Sequence, residues 1–434
     1  MTRYRWARRW HILVATAALF GMVMLGLGLV LRESGSRAQA GPWRAQFGSA
    51  DHDAATSAAV DGSGAVVVVG WTSGALTQIG VSGPKDAFVR KYTASGTVSW
   101  TSQFGTPGSD TATAVAVAPD GAVYVVGQLA GTTQPGATPF YAFVRKYAAD
   151  GTEAWTQQFG AEGPSATTTA ASVAVDSSGA AYVAGWVFGA LPGQTAGGQD
   201  DAFVRKYDTN GVEAWTRQAG GPGHDLATTV SVDAAGDVYV AGQREQASND
   251  VGTTAVRKYS PTGVELSARD LGTTGDVTIA VTIGRDGSIY QVGELAPPER
   301  IHDHAQGNHR GVPFVRKYDA TGPEAWTREF GAGATDAIVN VAVDSTGTVY
   351  VAGHTSRGKG RGEPDVRSIA FVRTFGPDGA AGPTRQFASA RYATATQVAA
   401  GSPGQVFVVG LTRGALPGMT ANGPSDAFIG KVQL

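Results

Sequence analysis

Asp86-Ala87-Phe88-Val89-Arg90-Lys91-Tyr92 is a run that the chain repeats along almost its whole length. Its Phe position falls at Phe88, Phe143, Phe203, Ala255, Phe314, Phe371 and Phe428, with spacings of 55, 60, 52, 59, 57 and 57 residues. After each of the first six copies comes a turn closing on glycine, at Gly96, Gly151, Gly211, Gly263, Gly322 and Gly379. A strand of the type Val-Glu-Ala-Trp-Thr-Arg-Gln-Phe-Gly usually follows, and its Trp appears at Trp43, Trp100, Trp155, Trp215 and Trp326. Between that strand and the next copy lies a hairpin of the type Ala-Val-Ala-Val, turn, Val-Tyr-Val-Ala-Gly. Its turns run Asp61 to Gly64, Pro119 to Gly121, Asp176 to Gly179, Asp233 to Gly236, Arg285 to Gly287, Asp344 to Gly347 and Ser402 to Gly404. Asp bonds the turn backbone and Gly accepts the positive φ that re-enters the ladder.

Each unit is therefore four strands, a to d from the hairpin onward. Strand a alternates small residues with Val, as in Ala114-Val115-Ala116-Val117, which suits an inner strand crowded around an axis. Seven four-stranded antiparallel units predict an all-β chain folded as a seven-bladed β-propeller, since such rings commonly hold about four to eight blades. Residues 43–48 supply a strand d with no preceding a to c, and residues 395–432 supply a to c with no following d. Joining the two closes the ring and covers an otherwise open edge.

Gly is abundant at 61 residues, charged residues are only 16%, and cysteine is absent, so neither disulfides nor thiolates contribute. The first forty residues differ from the remainder. Arg3, Arg5, Arg8 and Arg9 precede an uncharged apolar run over 12–31, and Ala38-Gln39-Ala40 offers small residues for a signal peptidase. Residues 1–40 read as a signal peptide cleaved after Ala40, or as a membrane anchor, the run being long enough to span a bilayer; the two readings stand side by side. Residues 41–434 form the propeller, exported to the cell envelope or outside. Without residues 1–40 there remain 28 Lys plus Arg against 35 Asp plus Glu, near −7. That balance, with no basic stripe, excludes nucleic acid as an expected partner.

The chain resembles the bacterial β-propeller repeat family known as SBBP. The resemblance rests on the Asp-Ala-Phe-Val-Arg-Lys-Tyr strands and on Gly-Trp-Thr-Ser-Gly-Ala-Leu at 70–76, Gly-Ala-Leu-Pro-Gly-Gln-Thr at 189–195 and Gly-Ala-Leu-Pro-Gly-Met-Thr at 414–420. It implies a propeller fold and export or surface association, and brings no shared catalytic residues. Ala255, Ser267 and Pro383 depart from the repeat, so packing is expected to be weakest near them.

Short turns join a to b and c to d, whereas the b-to-c and d-to-a connections are long and variable, and recognition is expected there. Asp53, Asp110, Asp225, Asp276 and Asp336 recur just before strand a. Around a channel they would ring one mouth, and a ring of oxygens is the chemistry of Ca²⁺. Turn capping is the competing role and the expected one, because single carboxylates on separate blades stand too far apart to share an ion. His302, His304 and His309, with Asp303, form a second candidate metal cluster for Zn²⁺ or Cu²⁺, on a loop carrying Pro297-Pro298 and Gly307 that argues for an exposed insertion. Arg357, Lys359, Arg361 and Arg367 are expected to be a solvated segment. No other cofactor is expected.

The function expected is a non-catalytic scaffold, monomeric, binding a protein, glycan or matrix ligand through its long loops and meeting a membrane only through an uncleaved N-terminus. The alternative is a quinoprotein-like oxidoreductase. Tyr-Asp-Thr-Asn-Gly-Val-Glu-Ala-Trp at 207–215 is similar to the Trp-docking repeat of pyrroloquinoline-quinone dehydrogenases, in which that motif locks blades together.

Overall fold

The structure is a computed structural model that describes residues 42–77, 82–131, 139–163, 166–245, 253–272, 276–295, 311–330, 336–357, 367–387 and 392–433. The N-terminal segment of 1–40 lies outside them. The described residues contain 28 strands and no helix. They form four-stranded antiparallel blades arranged as in a propeller. One blade runs through Asp53–Val60, Val66–Thr72, Asp86–Tyr92 and Val98–Phe104, each strand pairing with the next. Counting this as blade 1, the others repeat that order with strand a at Thr111–Val117 (blade 2), Thr167–Val175 (blade 3), Asp225–Val232 (blade 4), Val277–Ile283 (blade 5), Asp336–Val343 (blade 6) and Tyr392–Ala400 (blade 7).

The repeated strand c shows why its sequence reads as it does. Side chains alternate faces along a strand, so Phe88, Arg90 and Tyr92 share one face and Ala87, Val89 and Lys91 the other. The first set meets the preceding outer strand. Phe88 stands edge-on to Phe47 at 5.6 Å, Arg90 stacks over the Phe47 ring at 4.4 Å, and Tyr92 lies 5.5 Å from Trp43. Val89 faces the following blade and joins Val67 and Val69 in a core shared with Val115 and Phe143. One strand thus fills two blade interfaces.

Each Trp of strand d is fastened to the next blade. The indole nitrogens of Trp43, Trp100, Trp155, Trp215 and Trp326 donate to Ala94, Ala149, Thr209, Pro261 and Pro377 carbonyls, all in c-to-d turns and at 3.0–3.2 Å. The ring lies flat on the turn glycine. At Gly151, for example, φ is +92° and an added Cβ would lie 2.7 Å from Trp100. Glycine is required there twice over, by its φ and by the ring above it.

Blade 4 carries Ser267 at the Trp position, opposite Lys258, so it has no indole to offer the next turn. The Arg269 guanidinium approaches Gly322, lying 3.0 Å from where a Cβ would stand. At Ala255 the packing does weaken, for a reason that involves a second residue. Ala219 occupies the position of Phe47, Phe104 and Phe159, so both rings of the edge-on pair are absent between blades 3 and 4. A cavity of about 30 Å³ remains, lined by Ala219, Ala255, Asp225, Arg244 and Arg257.

The two ends of the chain meet. Arg44–Phe47 pairs antiparallel with Asp426–Gln433, Arg44 opposite Gly430 and Phe47 opposite Ala427. The inner strands meet as well, because Thr396 Oγ1 donates to the Ala55 carbonyl at 2.7 Å, as Thr56 Oγ1 donates to Ala112.

Candidate functional site

At one end of the blades, a residue at the start of strand c in one blade bridges in parallel with a residue just before strand a of the next. The bridges are Ser425 with His52, Lys85 with Ser109 and Asp200 with His224. The next residue on both sides of each bridge is aspartate, giving the pairs Asp426–Asp53, Asp86–Asp110 and Asp201–Asp225. All six are buried, with exposures of 0 to 3%.

A glycine makes the convergence possible. A Cβ on Gly48 would lie 2.5 Å from Asp53 Oδ2 and 2.6 Å from Asp426 Oδ1, so the two oxygens are at most about 5 Å apart, close enough for each charge to oppose the other. Gly105 stands in the same relation to Asp86 and Asp110, at 2.6 and 2.7 Å. Burial pushes the Asp53 carboxyl up to about 7, with the Asp426 charge adding to the rise and hydrogen bonds from Thr72 and Ser49 opposing it. Burial also raises Asp110, Asp225 and Asp426.

These carboxylates hold loops. Asp53 accepts from the Ser49 backbone at 2.7 Å, and Asp110 from the Thr106 and Ala130 backbones, so the d-to-a connection is capped. Asp86 accepts from the Ser82 and Gly83 backbones, and Asp426 from those of Asn422 and Gly423, which closes the b-to-c loop. A glutamine from strand d completes the set. Gln103 Nε2 donates to Asp86 and to the Gly74 carbonyl, while its Oε1 accepts from the Leu76 backbone. Gln46 treats Asp426, Gly414 and Leu416 in the same way, and Gln218 treats Asp201, Gly189 and Leu191. The recurrent Gly-Ala-Leu is therefore the anchored root of a b-to-c loop.

The five aspartates expected to ring a channel mouth do not do so as a set. Asp53, Asp110 and Asp225 are buried between blades, each facing an aspartate from strand c that sequence reasoning did not single out. Asp276 instead forms an ion pair with Arg316 at 2.9 Å. Asp336 begins its strand Asp336–Val343. His302, His304 and His309 lie outside the described residues, as do Lys359 and Arg361; Arg357 and Arg367 stand opposite each other at the ends of two paired strands. Among the described residues no three metal-ligating side chains converge, and no helix is long and apolar enough to cross a membrane. A cavity of about 580 Å³ lined by Arg328, Phe330, Arg373 and Thr384 opens near the c-to-d turns, at the other end of the strands.

Comparisons with known proteins agree with this architecture. A solved structure titled hydrazine synthase from Kuenenia stuttgartiensis superposes with a TM-score of 0.51 at 11% identity, over 82% of this chain and 92% of that one. The β-propeller domain of the trilobed protease from Pyrococcus furiosus gives 0.49 at 8% identity, over 88% and 96%. The first of these likenesses concerns the fold alone. Among curated proteins, the regulatory protein FlaEY of Caulobacter vibrioides is 27% identical over 172 residues, which is 38% of this chain and 17% of that protein. The chain thus spans about a sixth of that relative's length. Residues 154–186, from strand d of blade 2 through the hairpin of blade 3, match the SBBP family model, described as a β-propeller repeat. The same unit recurs before and after that match, so the chain is similar to SBBP-type β-propeller repeats along its length.

Proposed function

We propose that residues 43–433 form a closed ring of seven blades, exported by the N-terminal segment, that serves as a non-catalytic scaffold and binds a protein or glycan through its long-loop end. The pairing of Arg44–Phe47 with Asp426–Gln433 supports closure. The observation that carries the binding reading is the Gln–Asp anchorage. In three blades the root of the b-to-c loop is tied by three hydrogen bonds to one buried or half-buried glutamine, two donated by its Nε2 and one accepted by its Oε1. Loops whose roots are fixed lose less freedom when they bind. Their outer residues, such as Pro192, Gly193 and Thr420, stay exposed.

The docking tryptophans that suggest a quinoprotein are used for blade packing, and this supports the non-catalytic reading. Screening the full chain on glycan and protein arrays tests the proposal. Binding that is lost on replacing 192–196 or 417–421 with Gly-Ser, at unchanged melting temperature, is the expected result. Binding indifferent to both loops, or stoichiometric uptake of pyrroloquinoline quinone with dye reduction, would overturn it.

A further inference from the structure

Two carboxylates buried about 5 Å apart repel strongly when both are ionised, because little water screens them. Among the described residues none of the six junction aspartates forms a salt bridge. A cation does not fit the donor set. The carboxylate oxygens of Asp53 and Asp426 already accept from Ser49, Gln46, Asn422 and Gly423, and such N–H groups point their positive ends at any ion that would enter. A proton meets the same need without displacing them. Two coupled carboxylates then titrate as a unit, holding one proton over a wide range of pH.

We propose that the Asp53–Asp426 pair is a proton-linked clasp: one proton held by the pair keeps the b-to-c and d-to-a loops fastened at a blade junction, and its loss as pH rises loosens them. In sequence and register, Asp51 and His52 adjoin Asp53 on the d-to-a loop, and Arg413 adjoins Thr412, which pairs with Asp426. His52 Nδ1 lies 3.1 Å from Ser425 Oγ, and Arg413 stacks over Tyr392. At the Asp86–Asp110 junction Lys85 immediately precedes Asp86; burial lowers its own titration, and it stacks over Trp71. The Asp201–Asp225 pair is surrounded by Asp200, His224, Glu245, Arg244 and Arg257, whose arginines favour the ionised form; it belongs to a mixed cluster and is left out of the clasp. The clasp is independent of whatever the loops bind.

Two junctions of the same chain show the position without charge. Between blades 2 and 3 the bridge of Phe140 with Thr167 is followed by Tyr141 and Thr168, and between blades 6 and 7 that of Ser368 with Tyr392 is followed by Ile369 and Ala393. The fold does not need the carboxylates, so their pairing is a property of particular junctions.

The test uses the full chain in chelator, as wild type, Asp53→Asn and Asp426→Asn. Melting temperature and amide exchange at Ser49 and Asn422 are followed from pH 5 to 9. The wild type should lose melting temperature as pH rises, with junction exchange, corrected for its intrinsic rate, rising by up to about tenfold per pH unit above the titration. Both variants should be flatter and melt higher than wild type at pH 8. Variants that parallel the wild type at every pH would overturn the proposal. So would added Ca²⁺ that restores the wild-type melting temperature at pH 8 and leaves both variants unmoved, since the missing charge would then be a metal. If one variant fails to fold, the other and the wild-type exchange profile still decide.

Discussion

Trp43→Ala separates a ring whose ends are joined from a row of blades whose first strand is idle. Trp43 is 7% exposed, donates to the Ala94 carbonyl at 3.1 Å, and packs 5.5 Å from Tyr92 and 6.0 Å from Phe407. It touches blade 1 through Tyr92 and blade 7 through Phe407. Truncating a buried Trp costs about 3–5 kcal/mol, and the lost hydrogen bond lies within that figure. With an unfolding entropy of roughly 2.1 cal/mol/K per residue, a propeller of this size melting as one unit would drop by about 5 °C. Trp100→Ala is the internal control, because Trp100 makes the equivalent bond to Ala149 and lies 5.6 Å from Tyr147 entirely within consecutive blades. The assay is calorimetry of both variants in the full chain, with circular dichroism to confirm strand content. Joined ends predict comparable losses. Removing residues 42–48 empties the Phe47 site too and exposes the edge of Asp426–Gln433, which should bring aggregation. A Trp43→Ala protein that melts with the wild type while Trp100→Ala falls would refute the closure.

Other outcomes follow from the same contacts. Gly151→Ala should lower the melting temperature by several degrees, because it strains a φ of +92° and drives a methyl into Trp100; Gly62→Ala, with open space around it, should be near neutral. Equal effects of the two would count against the docking geometry. Ala219→Phe combined with Ala255→Phe should rebuild the edge-on pair seen at Phe159 and Phe203, at 5.4 Å. A double-mutant cycle should find a favourable coupling of about 0.5–1.5 kcal/mol, and the absence of coupling would mean that Arg244 and Arg257 have taken over the space. Fractionating cells that express the full chain should place the propeller outside the cytoplasm, and an entirely cytoplasmic pool would defeat the export reading.

The strands and turns were legible because both signals are local. Val66–Thr72, Asp86–Tyr92 and their copies begin and end where alternation and the turn residues place them. The hairpin glycines Gly64, Gly121, Gly179, Gly236, Gly287, Gly347 and Gly404 all take positive φ, and Asp61 caps its turn by accepting from Ser63 and Ala65. The candidate site was legible only by halves. Asp53, Asp110 and Asp225 stood out for recurring before strand a, but their mates come from strand c of the preceding blade, which a period along one chain does not align with them. The signal was present all the same, in the first letter of the repeated Asp-Ala-Phe-Val run and in the Gln of Gln-Phe-Gly. Ala255 was visible as a lone exception, and only the junction shows Ala219 as its mate.

Pro383 carries the same lesson about junctions. A missing Trp in a repeat reads as a lost contact, and that inference assumes that an acceptor is waiting. In every blade that has the Trp, the acceptor is a carbonyl in the c-to-d turn of the following blade. Blade 6 is followed by blade 7, whose strand c, Asp426–Gln433, is flanked by Arg44–Phe47 from the other end of the sequence, and no c-to-d turn joins the two. An indole at 383 would have neither a turn carbonyl to bond nor a turn glycine to lie on, and strand d of blade 6 is accordingly exposed along Ala381–Gln386. Trp is absent where its partner is absent. On the proposed closure, the departure at 383 is the expected mark of a blade completed from both ends of the chain, and Pro383→Trp should leave stability nearly unchanged, whereas a gain of several degrees in melting temperature would mean that blade 7 does present a surface for it.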